Sequence, residues 1–176
     1  MTALDKRDYK DNLVINERFF HMEKSELDRI DRNILRHLQK NGRLSNAELA
    51  EKVNVSPATC HRRTQRLFEE GYILGVHAQI NPKPVGLGAL VMVGVVLDHS
   101  TPESFKAFED AIASMPVVLD CNLVAGDFDY LITVRVRDMS DFNTLHGEQL
   151  IALPGVRQTR TFFVMKEVKN NEPLPF

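Results

Sequence analysis

Apolar residues recur at Leu27, Ile30, Ile34 and Leu38, with Leu35 widening the stripe. That spacing places them on one face of a helix and predicts a helix over residues 25–40. Ser25 stands at its cap, Asp28 at the third position, and Asn41-Gly42 at its stop. Two further helix starts follow closely. Ser45 and Glu48 form a capping-box pair, and Leu44 and Leu49 sit where a hydrophobic staple packs. This helix ends near Val53. Ser56-Pro57 opens another, with Ser as N-cap and Pro at the first helical position, where no N–H is needed. Gly71 is its stop. A short helix, a tight turn and a longer helix make a helix-turn-helix, and the helix over 25–40 gives the pair something to pack on. Residues 72–82 alternate and read as a short strand pair or wing. Pro82, Pro84, Gly86 and Gly88 then mark a boundary.

The second half changes rhythm. Leu90 to Leu97 is a nearly continuous apolar strand. Thr101-Pro102 caps a helix carrying Phe105, Phe108, Ala111, Ile112 and Met115. Val117–Val124 and Tyr130–Arg137 read as strands. Ser140 caps a helix with Phe142, Leu145, Leu150 and Leu153, stopped by Pro154-Gly155, and Val156–Val168 is the last strand. The order β-α-β-β-α-β is the ferredoxin-like pattern. The expected fold class is therefore α+β. A three-helix, winged helix-turn-helix domain spans 25–75, a wing or linker 76–88, a ferredoxin-like domain 89–170, and a tail 171–176. Residues 1–24 form a mixed extension whose charged part is expected to be disordered. Helices cover one sheet face, and self-association through the other is the simplest cover.

Charge sharpens this division. The net charge is −2, yet residues 28–75 hold nine Lys/Arg against six Asp/Glu and residues 86–176 hold seven against twelve. A basic front and an acidic rear suit a DNA-binding domain joined to one with another task. A net of +3 is modest, so tight binding calls for several copies acting together. Cys60 and Cys121 lie far apart with no metal spacing, which fits a reducing cytoplasm. No apolar run reaches the ~18 residues of a membrane span, and the N-terminus is too charged for a signal peptide.

The helix opened by Ser56-Pro57 has two distinct faces. Cys60, Thr64 and Leu67 share the inner one. Ala58, His61, Arg62, Gln65 and Arg66 share the outer one, which carries long donors with no evident internal partner. Arg can bond bidentately to guanine and Gln to adenine. Arg63, at the flank, suits a phosphate. With the helix-opening residues Ser45, Asn46, Ser56, Pro57, Ala58 and Thr59, these make the candidate contact set for double-stranded DNA. A second candidate site lies in the turn Gly126-Asp127-Phe128-Asp129-Tyr130. Gly126 permits positive φ, so turn N–H groups can receive a carboxylate, while Asp127 and Asp129 can receive an ammonium. A free amino acid carries both charges. A plain hairpin turn uses the same residues. Asp127, Asp129 and His146 form no nucleophile–base–orienter set, and the six histidines show no metal spacing. The chain is read as neither an enzyme nor a holder of a metal or cofactor.

Together these stretches resemble the Lrp/AsnC family, the leucine-responsive or feast/famine transcription regulators. The likeness runs from Leu27 to Lys169. It includes the run Asp28 to Leu35, Leu44-Ser45-Asn46-Ala47-Glu48-Leu49-Ala50, Ser56-Pro57 with Cys60, Gly71-Tyr72-Ile73, Leu123 to Leu131, Leu153-Pro154-Gly155-Val156 and Thr159-Arg160-Thr161. The resemblance implies a DNA-binding regulator whose assembly or affinity answers to an amino-acid effector. It also implies dimers that assemble further, often to octamers. Carried over by position, the effector residues are Leu123, Gly126, Asp127, Asp129, Met139, Phe162, Phe163 and Val164, to which the turn adds Phe128 and Tyr130. Phe162-Phe163 is bulkier than the usual Tyr-Val; lining one apolar pocket, the two rings would suit a hydrophobic or sulfur-containing side chain. A ligand-independent architectural DNA-binding protein is the alternative.

Overall fold

The computed structural model describes residues 26–176, so the expectations for residues 1–25, including the Ser25 cap, lie outside the described residues. Among these, residues 26–79 and 169–176 pack as one compact unit and residues 80–168 as another.

In the first unit, helix α1 spans Arg29–Lys40, α2 Asn46–Val53 and α3 Pro57–Glu69. The cap of α1 is Asp28, three residues later than expected. Its Oδ1 accepts the Asp31 N–H at 2.8 Å, and Asp31 Oδ2 accepts the Asp28 N–H at 3.3 Å, a reciprocal capping box. Ser45 and Glu48 build the same device on α2. Asn54 closes that helix at φ 61°, a left-handed conformation that Asn tolerates. Ser56 caps α3 and Pro57 begins it, as expected. The inward stripes meet in a core of Ile34, Leu35, Leu49, Ala50, Val53, Cys60 and Leu67.

Past α3 the expected strand pair is not formed. Residues 73–81 carry no strand pairing among the described residues, and Leu74 and Ile80 are 89% and 64% exposed. A strand needs a neighbour for its N–H and C=O groups, and this stretch supplies one run only before Pro82 and Pro84 end it.

The second unit runs β1 (Ala89–Leu97), α4 (Pro102–Ile112), β2 (Val118–Leu123), β3 (Tyr130–Val136), α5 (Met139–Leu145) and β4 (Val156–Phe163). Its strands lie in the order β2-β3-β1-β4, all neighbours antiparallel, which is the ferredoxin-like arrangement. Val91, Val93, Val95 and Leu97 of β1 and Tyr130, Ile132, Val134 and Val136 of β3 point to the helix side. They close over Phe108, Ile112, Phe142, Leu145 and Leu150. The cap of α5 is Asp138, not Ser140. The helix widens into a π-helical turn over His146–Leu150. Strand β4 stops at Phe163, well short of Val168. Val164 still donates to Leu90 O at 3.0 Å, but β1 begins at Ala89 and offers no further partner. The opposite sheet face pairs Met92 with Phe162 and Gly94 with Arg160 and has no helix over it within the unit.

Candidate functional sites

The first site is the outer face of α3. Cys60 and Leu67 are fully buried, which turns Ala58, His61, Arg62 and Gln65 outward, where they stand exposed. Burial pushes the Cys60 thiol above its ordinary range, with the Thr64 hydroxyl opposing, so this cysteine acts as a small apolar residue. Asn46 is engaged within the motif: its Nδ2 donates to Pro57 O at 2.9 Å and ties the start of α2 to the start of α3. The Ser56 hydroxyl accepts from Thr59 N–H at 3.3 Å and donates to Thr59 Oγ1 at 2.9 Å. Ser45 donates its hydroxyl to Glu48 at 2.7 Å.

Arg63 and Arg66 depart from expectation. Neither is a donor without an internal partner. Arg63 Nη1 bonds Asp28 Oδ2 at 2.7 Å and Asp31 Oδ1 at 2.9 Å, and Arg66 Nη2 bonds Asp31 Oδ2 at 2.6 Å. Asp31 is 1% exposed. A buried carboxylate is costly to hold unless both oxygens are matched, and here each oxygen faces its own guanidinium. The pair fixes α3 against α1. Both guanidiniums are thus turned to carboxylates of α1, whereas the other donors of α3 face outward.

The second site surrounds the β2–β3 turn. Val124 N–H donates to Asp129 O and Asp129 N–H to Val95 O, both at 2.9 Å. Asp129 Oδ2 accepts Leu97 N–H at 2.8 Å. This carboxylate braces the turn against β1, while Asp127 stands exposed at the tip and Gly126 adopts φ 148°. Tyr130 is a core residue, not a surface contact. It is 1% exposed, its ring centroid lies 4.5 Å from that of Phe108, and its hydroxyl donates to Glu109 Oε1 at 2.7 Å. Nearby, burial and then Glu109 push the Cys121 thiol up to about 11, keeping it protonated at neutral pH.

Phe162 and Phe163 do not line one pocket. Adjacent strand residues point to opposite faces. Phe162 pairs across from Met92 on the helix-free face and meets the Phe128 ring edge-on at 6.1 Å. Phe163 meets Phe142 of α5 at 5.2 Å on the helix side. Leu123 and Met139 are 59% and 55% exposed at their element ends.

Several contacts were not anticipated from the sequence. Phe128 lies across Gly94, and the Arg160 guanidinium stands 5.8 Å from its ring, within cation–π range. His146 Nε2 and Thr159 Oγ1 are hydrogen bonded at 2.8 Å. A lone Gly inside an apolar strand is a signal for close approach, and Gly94 is the one that could have been read. A Cβ at Gly94 would meet the Phe128 ring at 2.6 Å. Gly94→Val is therefore expected to evict the ring. The loss of NMR cross peaks between residue 94 and Phe128 would check this, with a stability cost of about 1–3 kcal/mol.

A helix-turn-helix with outward donors, joined to a βαββαβ unit with a helix-free sheet face, is the make-up of a DNA-binding transcription regulator with a ligand-binding domain. Known proteins agree with that assignment. Residues 27–73 match the winged helix-turn-helix DNA-binding family and residues 90–174 the Lrp/AsnC ligand binding domain. The leucine-responsive regulatory proteins of Klebsiella pneumoniae and Escherichia coli K12 are each 47% identical over 149 residues, covering 85% of this chain and 91% of theirs. Among solved structures, a Neisseria meningitidis transcriptional regulator in complex with L-Met superposes with a TM-score of 0.80 at 34% identity. An AsnC family regulator from Agrobacterium tumefaciens does so at 0.80 and 33%. Each covers 85% of this chain and 97% of its own. The chain belongs to the Lrp/AsnC family of transcription regulators. These relatives are regulators, not enzymes. Among the described residues no helix is long and apolar enough to cross a membrane.

Proposed function

We propose that His61, Arg62 and Gln65 on α3 read base edges in a DNA major groove. Ser45, Ser56 and Thr59 at the helix starts meet the backbone, and Asn46, Arg63 and Arg66 hold the reading face in place. One observation carries this reading: the two inward guanidiniums consume the buried Asp31 and leave the outward donors of α3 exposed on a fixed helix. In a dimer, two such helices would address half-sites about 34–36 Å apart.

The sheet unit would take an amino acid, with Asp127 free to receive the ammonium and the Gly126 turn to receive the carboxylate. Asp129 is already committed to β1 and serves as a brace. An apolar or sulfur-containing side chain is the proposed class. Its support is the Neisseria neighbour solved with L-Met, since the single Phe162–Phe163 pocket that first suggested it is not formed. The helix-free sheet face supports dimers, and the modest positive charge of the front domain supports further assembly, with an octamer as the proposed form. The cytoplasm, where DNA and free amino acids meet, is the proposed location.

The test is a mobility-shift titration of duplex from the chain's own upstream region, with and without each of the twenty amino acids. Arg62→Ala is expected to weaken specific binding by about 1–3 kcal/mol, with unchanged thermal unfolding. Unchanged binding would remove Arg62 from the reading face. Silence toward every amino acid would favour the architectural alternative.

A further inference from the structure

The end of the chain returns to the DNA-reading unit. Leu174 N–H donates to Gln39 Oε1 at 2.7 Å, and Gln39 Nε2 donates to Leu174 O at 3.5 Å. One carboxamide on α1 thus grips both main-chain groups of one residue. Arg36, a turn earlier on α1, donates from Nε to Phe176 O at 2.7 Å, and its guanidinium lies 6.0 Å from the Phe176 ring. The segment borders a groove of about 680 Å3 whose walls include Leu35, Leu38, Tyr72 and Ile73. Leu174 stands between Pro173 and Pro175. Each proline fixes its own φ, and Pro175 favours extended backbone at Leu174, the form that a bidentate amide can read.

The other end of this segment is anchored as well. Glu167 Oε2 accepts from Arg135 Nη2 at 2.7 Å, and Arg135 is only 12% exposed. Six residues lie between Glu167 and Leu174. Upstream, Phe162, Phe163 and Val164 are among the candidate effector residues. The chain therefore passes from the candidate effector strand through one ion-paired anchor to a second anchor on α1. The far anchor is not deep: Leu174 remains 71% exposed and Phe176 36%. A contact held by a few hydrogen bonds and one half-buried ring can open and close.

We propose that residues 172–176 are a latch on α1, by which the state of β4 acts on the DNA-reading unit. The latch rests on the regulator reading given above. Its occupant is this chain's own segment, and its receptor is the Arg36–Gln39 face. A ligand that shifts the end of β4 pulls or slackens a short, proline-stiffened tether, and α1 carries the change to α3 through Asp31.

The test uses the full chain, Gln39→Ala, Leu174→Ser and a chain ended after Asn171. Amide exchange at Leu174 is expected to be protected in the full chain and to lose protection in Gln39→Ala. DNA affinity measured with and without methionine, the amino acid bound by the Neisseria neighbour, gives a response ratio expected to be on the order of 5–150-fold. That ratio should fall toward one in all three variants, while ligand-free DNA binding and thermal unfolding hold. An unprotected Leu174 amide in the full chain, or an intact response in the variants, overturns the latch and leaves the regulator reading standing. A full chain that ignores duplex, or whose DNA binding ignores methionine, overturns the latch together with the part of the reading on which it rests.

Discussion

Asp31→Ala is expected to destabilise the DNA-reading unit by about 3 kcal/mol, the lower end of what breaking a buried ion pair costs. The lower end applies because Arg63 and Arg66 remain 20% and 33% exposed and can reach water once their partner is gone. Asp31 also supplies half of the α1 capping box, so the helix start frays with it. Urea unfolding followed by the helix signal measures the loss, and a change below about 0.5 kcal/mol would show that the carboxylate is not what fixes α3. Acid gives a milder version through Asp28. The Asp31 main-chain N–H, and after it Arg63, hold the Asp28 carboxyl below its ordinary 3.8. Its folded pKa is the lower one, so the stabilisation is complete above the unfolded value and fades as pH falls through the folded one. The DNA-reading unit should therefore start to weaken below about pH 4.

Tyr130→Ala is expected to cost the sheet unit about 3–5 kcal/mol, the range for emptying a packed aromatic site. The ring fills the space beside Phe105 and Phe108, and Glu109 loses its hydroxyl donor. Tyr130→Phe keeps the ring and should cost about 1 kcal/mol, the net worth of one hydrogen bond. Asp127→Ala, three residues away at the exposed tip, should leave stability within about 0.5 kcal/mol and change amino-acid binding instead. Denaturation curves beside calorimetry separate the two positions. If Tyr130→Ala left the unfolding midpoint in place and abolished ligand binding, its assignment to the core would be wrong.

Local chemistry was legible where neighbours in sequence decide it. The Ser45–Glu48 box, the Ser56-Pro57 start and the βαββαβ order all depend on spacings of a few residues. A helix start moved where two cap-competent residues stand close together, as with Ser140 and Asp138, because packing of the helix body selects between them. The pairing of Arg63 and Arg66 was not legible. Asp31 lies 32 and 35 residues away, and helical periodicity says which side a residue faces, not what waits there. Arg66 sits between the two faces, and its length let it turn inward. For Phe162 and Phe163 the alternation rule was available, and it separates two residues that adjacency alone had joined. The length of β4 depended on where β1 begins, which the composition of residues 164–168 does not carry.

The inward arginines also bear on ionic strength. Salt sensitivity of DNA binding counts the phosphates neutralised by protein cations, each with its released counterion. A guanidinium whose charge is already met by Asp28 or Asp31 adds little to that count. One copy of this regulator should therefore show a shallow slope of log affinity against log salt, set by Arg62 and its few exposed neighbours.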